Sequence, residues 1–288
     1  MTTSGEDRKT GRKGKVSSLL PVITLLTDFG TADYFAGAVK GAILSVNTSA
    51  VIADITHEIP PQNIEAGAFT LLAAYASFPA GTIHLAVVDP GVGSDRRPII
   101  VKAGQHFFVG PDNGIFTYIY EREPLYTTFH VTAAKYFRQP TSSTFHGRDV
   151  FAPVAAVLSL GIKPEALGAP ITDEVRLQNS LNPEVRKNGD VYGRILHIDR
   201  FGNCVTNLTR EFLQKGTELV VKGKRVSKFR EFYDGAGKEP FAIWGSSGFL
   251  EISVRGRSAA RVLRVERGEK VFLTQRRKVA KTSRKEEL

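Results

Sequence analysis

The sequence predicts an α/β protein: an N-terminal three-layer α/β domain with a mostly parallel sheet, then a C-terminal all-β domain, a small barrel or a sandwich. Three observations carry this. From Val22 to about Leu160, short apolar and β-branched runs alternate with helical patterns, the order that lays helices on a parallel sheet. From Ile171 to Asp190 the chain turns polar and irregular, as linkers do. Beyond Asp190 the apolar runs stay short and are separated by glycine and polar residues, a pattern of successive strands. The resulting division is a basic, disordered tail at 1–18, an α/β domain at 19–180, a β domain at 190–274 and a second basic tail at 275–288.

The elements follow in order. Val22–Thr27 is an apolar strand that ends in Asp28-Phe29-Gly30. Asp33 stands at the expected N-cap of a helix running to about Ser45. Ala50–Ile55 is strand-like. Asn63 opens a second helix through Ala76, with Ile64, Phe69, Leu71, Leu72 and Tyr75 suited to a largely buried face. Thr82–Val88 is a strand that stops at Asp89. Ile99–Lys102 and His106–Val109 are strands, Pro111-Asp112-Asn113-Gly114 a turn, Phe116–Glu121 a short helix and Thr127–Val131 a strand. An Ala- and Val-rich helix runs from Asp149, its expected N-cap, to Leu160. In the second domain the expected strands are Gly193–Ile198, Cys204–Leu208, Glu218–Val221, Phe241–Trp244, Leu250–Val254, Arg261–Val265 and Lys270–Leu273.

The net charge of +10 is concentrated at the ends. Residues 1–16 carry +3 and residues 275–288 carry +4, so about +3 is left for the body. No face that interleaves basic and aromatic residues accompanies the tails, which argues against a nucleic-acid partner. Cys204 is the single cysteine, which excludes an intramolecular disulfide and a cysteine-rich metal site and suits a reducing compartment. Ser17–Leu26 is apolar after a basic start, but Pro21 interrupts it and no small-residue cleavage site follows, unlike a signal peptide. No run reaches the ~18 apolar residues of a membrane helix. The expectation is a soluble, cytoplasmic protein.

Ligands of open α/β sheets sit beyond the carboxyl ends of the strands. Asp28 and Asp89 occupy two such ends, either as turn caps or as two acids facing one crevice. VVDPGVGSDRRPI (87–99) ends an apolar strand on Asp89 and sets Arg96 and Arg97 a few residues away; Asp95 and Arg97 read as surface residues. TFHGRD (144–149) places His146 at a helix entrance, as a turn histidine or a crevice residue, whereas His84, His106 and His130 lie in strands and read as structural. His197–Asn203 reads as a turn whose polar groups could reach a ligand, and Ser246–Glu251 as a hairpin turn with small donors. GxxxxGK(S/T) is absent and no GxGxxG follows the first strand, which argues against a ligand held through a pyrophosphate. HExxH and the GxSxG nucleophile elbow are also absent.

Taken together, LTDFGTADYFAGAVKG, VVDPGVGSDRRPI, FVGPDNG, TFHGRDVFAP, DRFGN and SSGFLEI resemble the adenosine-forming S-adenosyl-L-methionine hydrolases, the SAM hydroxide adenosyltransferases, relatives of fluorinase and chlorinase. The resemblance runs in order from about residue 22 to 273. It implies an α/β domain followed by a β-barrel, a homotrimer, and a site between the N-domain of one subunit and the C-domain of its neighbour. It implies a catalytic trio of Asp89, Arg96 and His146. It places Asp28 on the ribose hydroxyls, and Asp33, Asp199 and Ser246 on the methionine part. Asn203 falls on the adenine edge, Phe201 and Tyr233 around the base, Phe78 near the ribose, and Phe145 among the substrate-binding residues.

The implied chemistry is coherent. Methionine leaves C5′ as a neutral thioether, so no general acid and no metal or other cofactor is expected. Water is the weak partner, and a site can orient it and favour its deprotonated form through a fixed guanidinium and a proton acceptor. Which of the trio accepts the proton stays open. Halogenating relatives have a Tyr and a small residue where His146-Gly147 stand, and the fluorinase carries a long insertion where Gly93 here runs almost directly into Arg96. Both departures favour water over halide. A non-enzymatic binder of S-adenosylmethionine or adenosine would need the acids and aromatics but not Arg96 or His146.

Overall fold

The structure, a computed structural model, describes residues 20–213, 217–233 and 237–275; residues 1–19 and 276–288, which hold the two basic tails, lie outside them. The first domain comprises β1 (Val22–Thr27), α1 (Phe35–Val46), β2 (Val51–Thr56), α2 (Ile64–Ala74), β3 (Ile83–Val87), β4 (Pro98–Ala103), β5 (His106–Pro111), α3 (Thr117–Arg122), β6 (Tyr126–Val131), α4 (Ala152–Ser159) and β7 (Gly168–Ile171). Its seven strands form one sheet in the order β2-β1-β3-β5-β4-β6-β7. Strands β2, β1, β3 and β5 pair in parallel: helices α1 and α2 make the crossovers among β1, β2 and β3, and β5 joins β3 after the chain has passed out through β4. Strands β4, β6 and β7 add antiparallel. Only Gly104-Gln105 separates β4 from β5, a link that closes an antiparallel pair alone. The parallel share is thus narrower than the sequence suggests.

Side chains alternate across the sheet and feed two cores. Ile23 and Leu25 of β1 pack with Val39 and Ile43 of α1 and Val154 of α4 on one face. Leu26 packs with Phe69 and Leu71 of α2 and Tyr118 of α3 on the other.

Helix entrances differ from expectation. Asn63 does cap α2, accepting from Ala66 N at 3.0 Å. Asp33 does not cap α1: Tyr34 holds the N-cap position, with no side-chain cap bond. Nor is Asp149 an N-cap. A π-helical turn, Gly147–Phe151, precedes α4, and Asp149 lies buried inside it, its carboxylate accepting from Arg148 Nε and Nη2 and from Ser142 N.

The second domain contains β8 (Glu184–Val185), β9 (Val191–Ile198), β10 (Cys204–Thr206), β11 (Thr217–Val221), β12 (Lys224–Val226), β13 (Phe229–Arg230), β14 (Phe241–Trp244), β15 (Leu250–Ser253), α5 (Ala259–Leu263) and β16 (Lys270–Gln275). Its barrel-like sheet runs β12-β11-β16-β9-β10-β15-β14-β13, with β8 also paired to β9. Val191, Ile195, Leu219, Leu250, Ile252 and Val271 fill it, and Leu263 closes it. The strand expected at Arg261–Val265 is a correction: Ser258 accepts from Arg261 N at 3.2 Å and caps α5 there, overriding the β-branched Val262 and Val265.

The two domains are tied together. Phe69 of α2 stacks on His197 at 5.1 Å and packs against Phe249. Arg194 of β9 bridges to Glu65 at 2.6 Å and donates to Tyr118 Oη at 2.8 Å. Among the described residues no helix is long and apolar enough to cross a membrane.

Candidate active site

Buried β3 and Val88 deliver Asp89 to the sheet's carboxyl edge, where Asn113 Nδ2 donates to Val88 O at 2.9 Å and pins the strand end. The chain then turns through Val92 N to Asp89 O and Ser94 N to Gly91 O. Gly93 has φ +83°, and a Cβ there would lie 2.6 Å from the Ser143 carbonyl oxygen. Glycine is therefore required twice, for its conformation and for the close approach. That approach sets the loop bearing His146 against the loop bearing Arg96.

The result is a fixed trio. Arg96 Nε donates to Asp89 Oδ1 at 2.9 Å and Nη2 to Oδ2 at 2.5 Å. The same Nη2 donates to His146 Nδ1 at 2.8 Å. The guanidinium lies over the Phe151 ring, 5.0 Å from its centroid. Arg96 and Asp89 side chains are only 9% and 6% exposed. Since arginine keeps its protons, His146 Nδ1 is the acceptor and the ring proton sits on Nε2. Burial first, then the Arg96 guanidinium, hold the imidazole below its ordinary pKa.

Asp28 leaves the sheet at the same edge, because Thr27 of β1 pairs with Val87 of β3. Its Oδ2 accepts from Gln62 N at 2.8 Å, and Gln62 adopts φ +62°. The turn is also held by His57, whose Nδ1 meets the Thr27 hydroxyl at 2.8 Å and whose carbonyl accepts from Gly30 N at 2.7 Å. Asp33 is exposed on the approach to α1. Phe145 is buried in an edge-to-face cluster with Phe29 and Phe35, so it packs beneath the His146 loop. Phe78 is a correction. It packs on His84, whose hydroxyl partner Thr24 lies early in β1, and so sits toward the opposite end of the strands from Asp89.

Arg97 is also corrected. Far from being a surface residue, it donates from Nε and Nη2 to Asp112 Oδ2 at 2.8 and 2.6 Å and from Nη1 to Asp173 at 2.8 Å. It ties the 111–114 turn to the segment that leaves the domain.

A second group gathers in the β domain. Asp199 Oδ1 accepts from Phe201 N and Asn203 N, and Oδ2 from Asn203 Nδ2, which folds DRFGN into a side-chain-closed turn. Gly202 has φ +83° and lies against Ser258, where a Cβ would clash. The turn leaves Phe201 77% exposed. Asp199, Phe201, Asn203, Tyr233 and Ser246 all line one pocket of about 1080 Å³. None of the pocket's lining residues comes from the first domain. The trio and Asp28 thus gather on one domain, and the candidate aromatic pocket lies on the other. Glu251, a buried acid on β15, also lines the pocket. Sequence reading missed it; its only signal was an acid inside the apolar run Leu250–Ser253.

The match to known proteins spans both groups of residues. Residues 23–168 match the model of the SAM hydroxide adenosyltransferase N-terminal domain and residues 193–272 that of the C-terminal domain. The chain belongs to the SAM hydroxide adenosyltransferase family. It is 37% identical over 269 residues to the (R)-S-adenosyl-L-methionine hydrolase of Methanocaldococcus jannaschii, covering 86% of this chain and 94% of that one. A fluorinase of Nocardia brasiliensis is more distant, 26% identical over 232 residues, with 70% and 77% covered. A crystal structure of an uncharacterized conserved protein from Thermotoga maritima superposes with a TM-score of 0.81 at 34% identity, covering 88% of this chain and all of that one.

Proposed function

We propose that the protein hydrolyses S-adenosyl-L-methionine to adenosine and L-methionine by in-line attack of an activated water on C5′. The observation that supports it most directly is the Arg96 guanidinium, gripped by Asp89 and donating to His146 at the same time. Such a fixed, water-poor donor stabilises a developing hydroxide without reorganising. Water oxygen bonds to C5′, the C5′–S electron pair returns to sulfur, and methionine departs as a neutral thioether. The surplus proton leaves the water. Neutral His146 offers Nε2–H to hold the nucleophile, and the two proton acceptors within the trio are the His146 imidazole and the Asp89 carboxylate. The step needs no metal or other cofactor. The M. jannaschii relative is named for the (R) epimer at sulfur, and we take that epimer as the substrate here.

The other roles belong to the same proposal. Asp28 binds the ribose diol; Asp33, Asp199 and Ser246 the methionine part; Asn203, Phe201 and Tyr233 the adenine. Because the two groups of residues lie on different domains, we place the complete site between subunits of a homotrimer, in the cytoplasm. Turnover of each sulfonium epimer in oxygen-18 water, with and without chloride, tests the reading. Label in the 5′-hydroxyl of adenosine supports it. No adenosine, a halogenated nucleoside, or label only in methionine overturns it.

A further inference from the structure

The segment that opens α4 holds Arg96 from two sides. His146 meets the edge of the guanidinium, accepting from Nη2 at 2.8 Å, and Phe151 covers its face at 5.0 Å. His146 stands at the N-cap of the Gly147–Phe151 π turn and Phe151 is its last residue. On an α-helix, side chains that far apart along the chain point about 140° away from each other. The π turn is wider, closed here by Ala152 N donating to Gly147 O, and so both side chains reach one group.

Asp149 sits inside this turn with its side chain 0% exposed. Its Oδ1 accepts from Arg148 Nε at 2.7 Å, and its Oδ2 from Arg148 Nη2 at 2.8 Å and Ser142 N at 2.9 Å. Its backbone carbonyl accepts from Arg138 N at 2.8 Å. One residue thereby ties both ends of segment 138–142 to the turn. The Arg148 hydrogen bonds, with help from Ser142 N and against the cost of burial, hold the carboxyl below its ordinary pKa, so both oxygens stay acceptors at neutral pH. Ser143 follows, and its carbonyl oxygen is the group that leaves no room for a Cβ on Gly93. The loop bearing Arg96 therefore rests on a segment whose place Asp149 sets. None of these hydrogen bonds reaches the trio, so the part Asp149 plays is indirect.

We propose that Asp149 is a positioning residue for the reaction: it fixes the π turn and the Ser142–Ser143 segment so that His146 and Phe151 close on the Arg96 guanidinium. This deepens the hydrolase reading and rests on it. An asparagine at this position has the same shape but one acceptor oxygen, and its amide nitrogen meets a donor, so it cannot serve both the Arg148 fork and Ser142 N.

The test compares full-length wild type, Asp149→Asn and Arg148→Lys, each checked for folding by circular dichroism. Two quantities are read: steady-state adenosine release from S-adenosylmethionine, and the nitrogen-15 resonances of the His146 ring at pH 8, assigned by their absence from His146→Gln. The wild-type ring shows the Nε2–H tautomer, because Arg96 donates to Nδ1. Asp149→Asn is expected to lower kcat about 10- to 100-fold with KM little changed, and to move the ring toward a mixture of both tautomers as the Arg96 contact slackens. Arg148→Lys keeps the charge but loses the fork. It gives the same changes at smaller size, and it decides the matter if Asp149→Asn does not fold. A merely stabilising role would lower resistance to denaturant and leave kcat and tautomer as in the wild type. If the folded variant keeps either the wild-type kcat or the wild-type tautomer, the inference is overturned while the hydrolase reading stands. If the wild type forms no adenosine, both fall.

Discussion

Asp89 grips Arg96 along one edge of the guanidinium, Nε to Oδ1 and Nη2 to Oδ2, and leaves the remaining donors to point elsewhere. The bidentate fork fixes the plane as well as the position of the charge, and this is why Nη2 also reaches His146 Nδ1. Seven residues separate the pair, and the turn through Gly91 and Gly93 folds one back onto the other.

Arg96→Lys tests that geometry. A lysine supplies charge but no planar fork. The expected loss in kcat is about 10²-fold or more, with KM changed far less. Asp89→Asn is expected to act through the same unit, so the double variant is no worse than the poorer single one in steady-state kinetics. Fully additive losses would show that the two act separately.

The pH dependence has a definite sign. His146 titrates below its ordinary value because it is buried and faces Arg96. Activity that needs the neutral ring is therefore retained down to below about pH 6.5 and lost as pH falls through the folded-state value. The same shift makes the unfolded chain bind more protons, so this group lowers stability as pH drops below about 6.5. An NMR titration of the ring in wild type and Arg96→Ala checks the cause: the variant should titrate higher.

The proposed site between subunits predicts complementation. Asp89→Asn and Asn203→Ala each disable one half. Mixed and reassembled in equal amounts, they should recover about a quarter of wild-type activity, the share expected from random pairing in a cyclic trimer. Sedimentation should show the trimer itself. Recovery no greater than the sum of the separate variants would place the whole site within one chain.

Arg97→Ala is expected to cost stability more than chemistry. It strands Asp112, whose side chain is 2% exposed, without its cation. Removing one partner of such a pair costs about 3 kcal/mol. Chemical denaturation should show the loss, with kcat reduced only modestly at temperatures where the variant stays folded.

Local pattern made most of this legible. Strand ends at Asp28 and Asp89, the capped start at Asn63 and the change of periodicity after Asp190 are short-range signals, and the structure shows each of them. Failures came where tertiary contact outweighed local preference. Val262 and Val265 read as strand, but Ser258 caps a helix there. Asp149 read as a cap, but Arg148 and Ser142 N claim its carboxylate inside a π turn. Arg97 read as surface because its partners Asp112 and Asp173 lie 15 and 76 residues away.

The sequence by itself determined the order of the elements, the two-domain division and the residue types at the strand ends, since these depend on period, turn chemistry and neighbours along the chain. Only the tertiary structure decided that Arg97 ties Asp112 to Asp173, that Glu251 is buried in the aromatic pocket, and that Phe78 lies toward the opposite end of the sheet from Asp89. Each of these depends on segments far apart in sequence approaching within a few ångströms. Such approaches are set by parallel strand register and by glycines, such as Gly93 against Ser143, that leave room for another backbone.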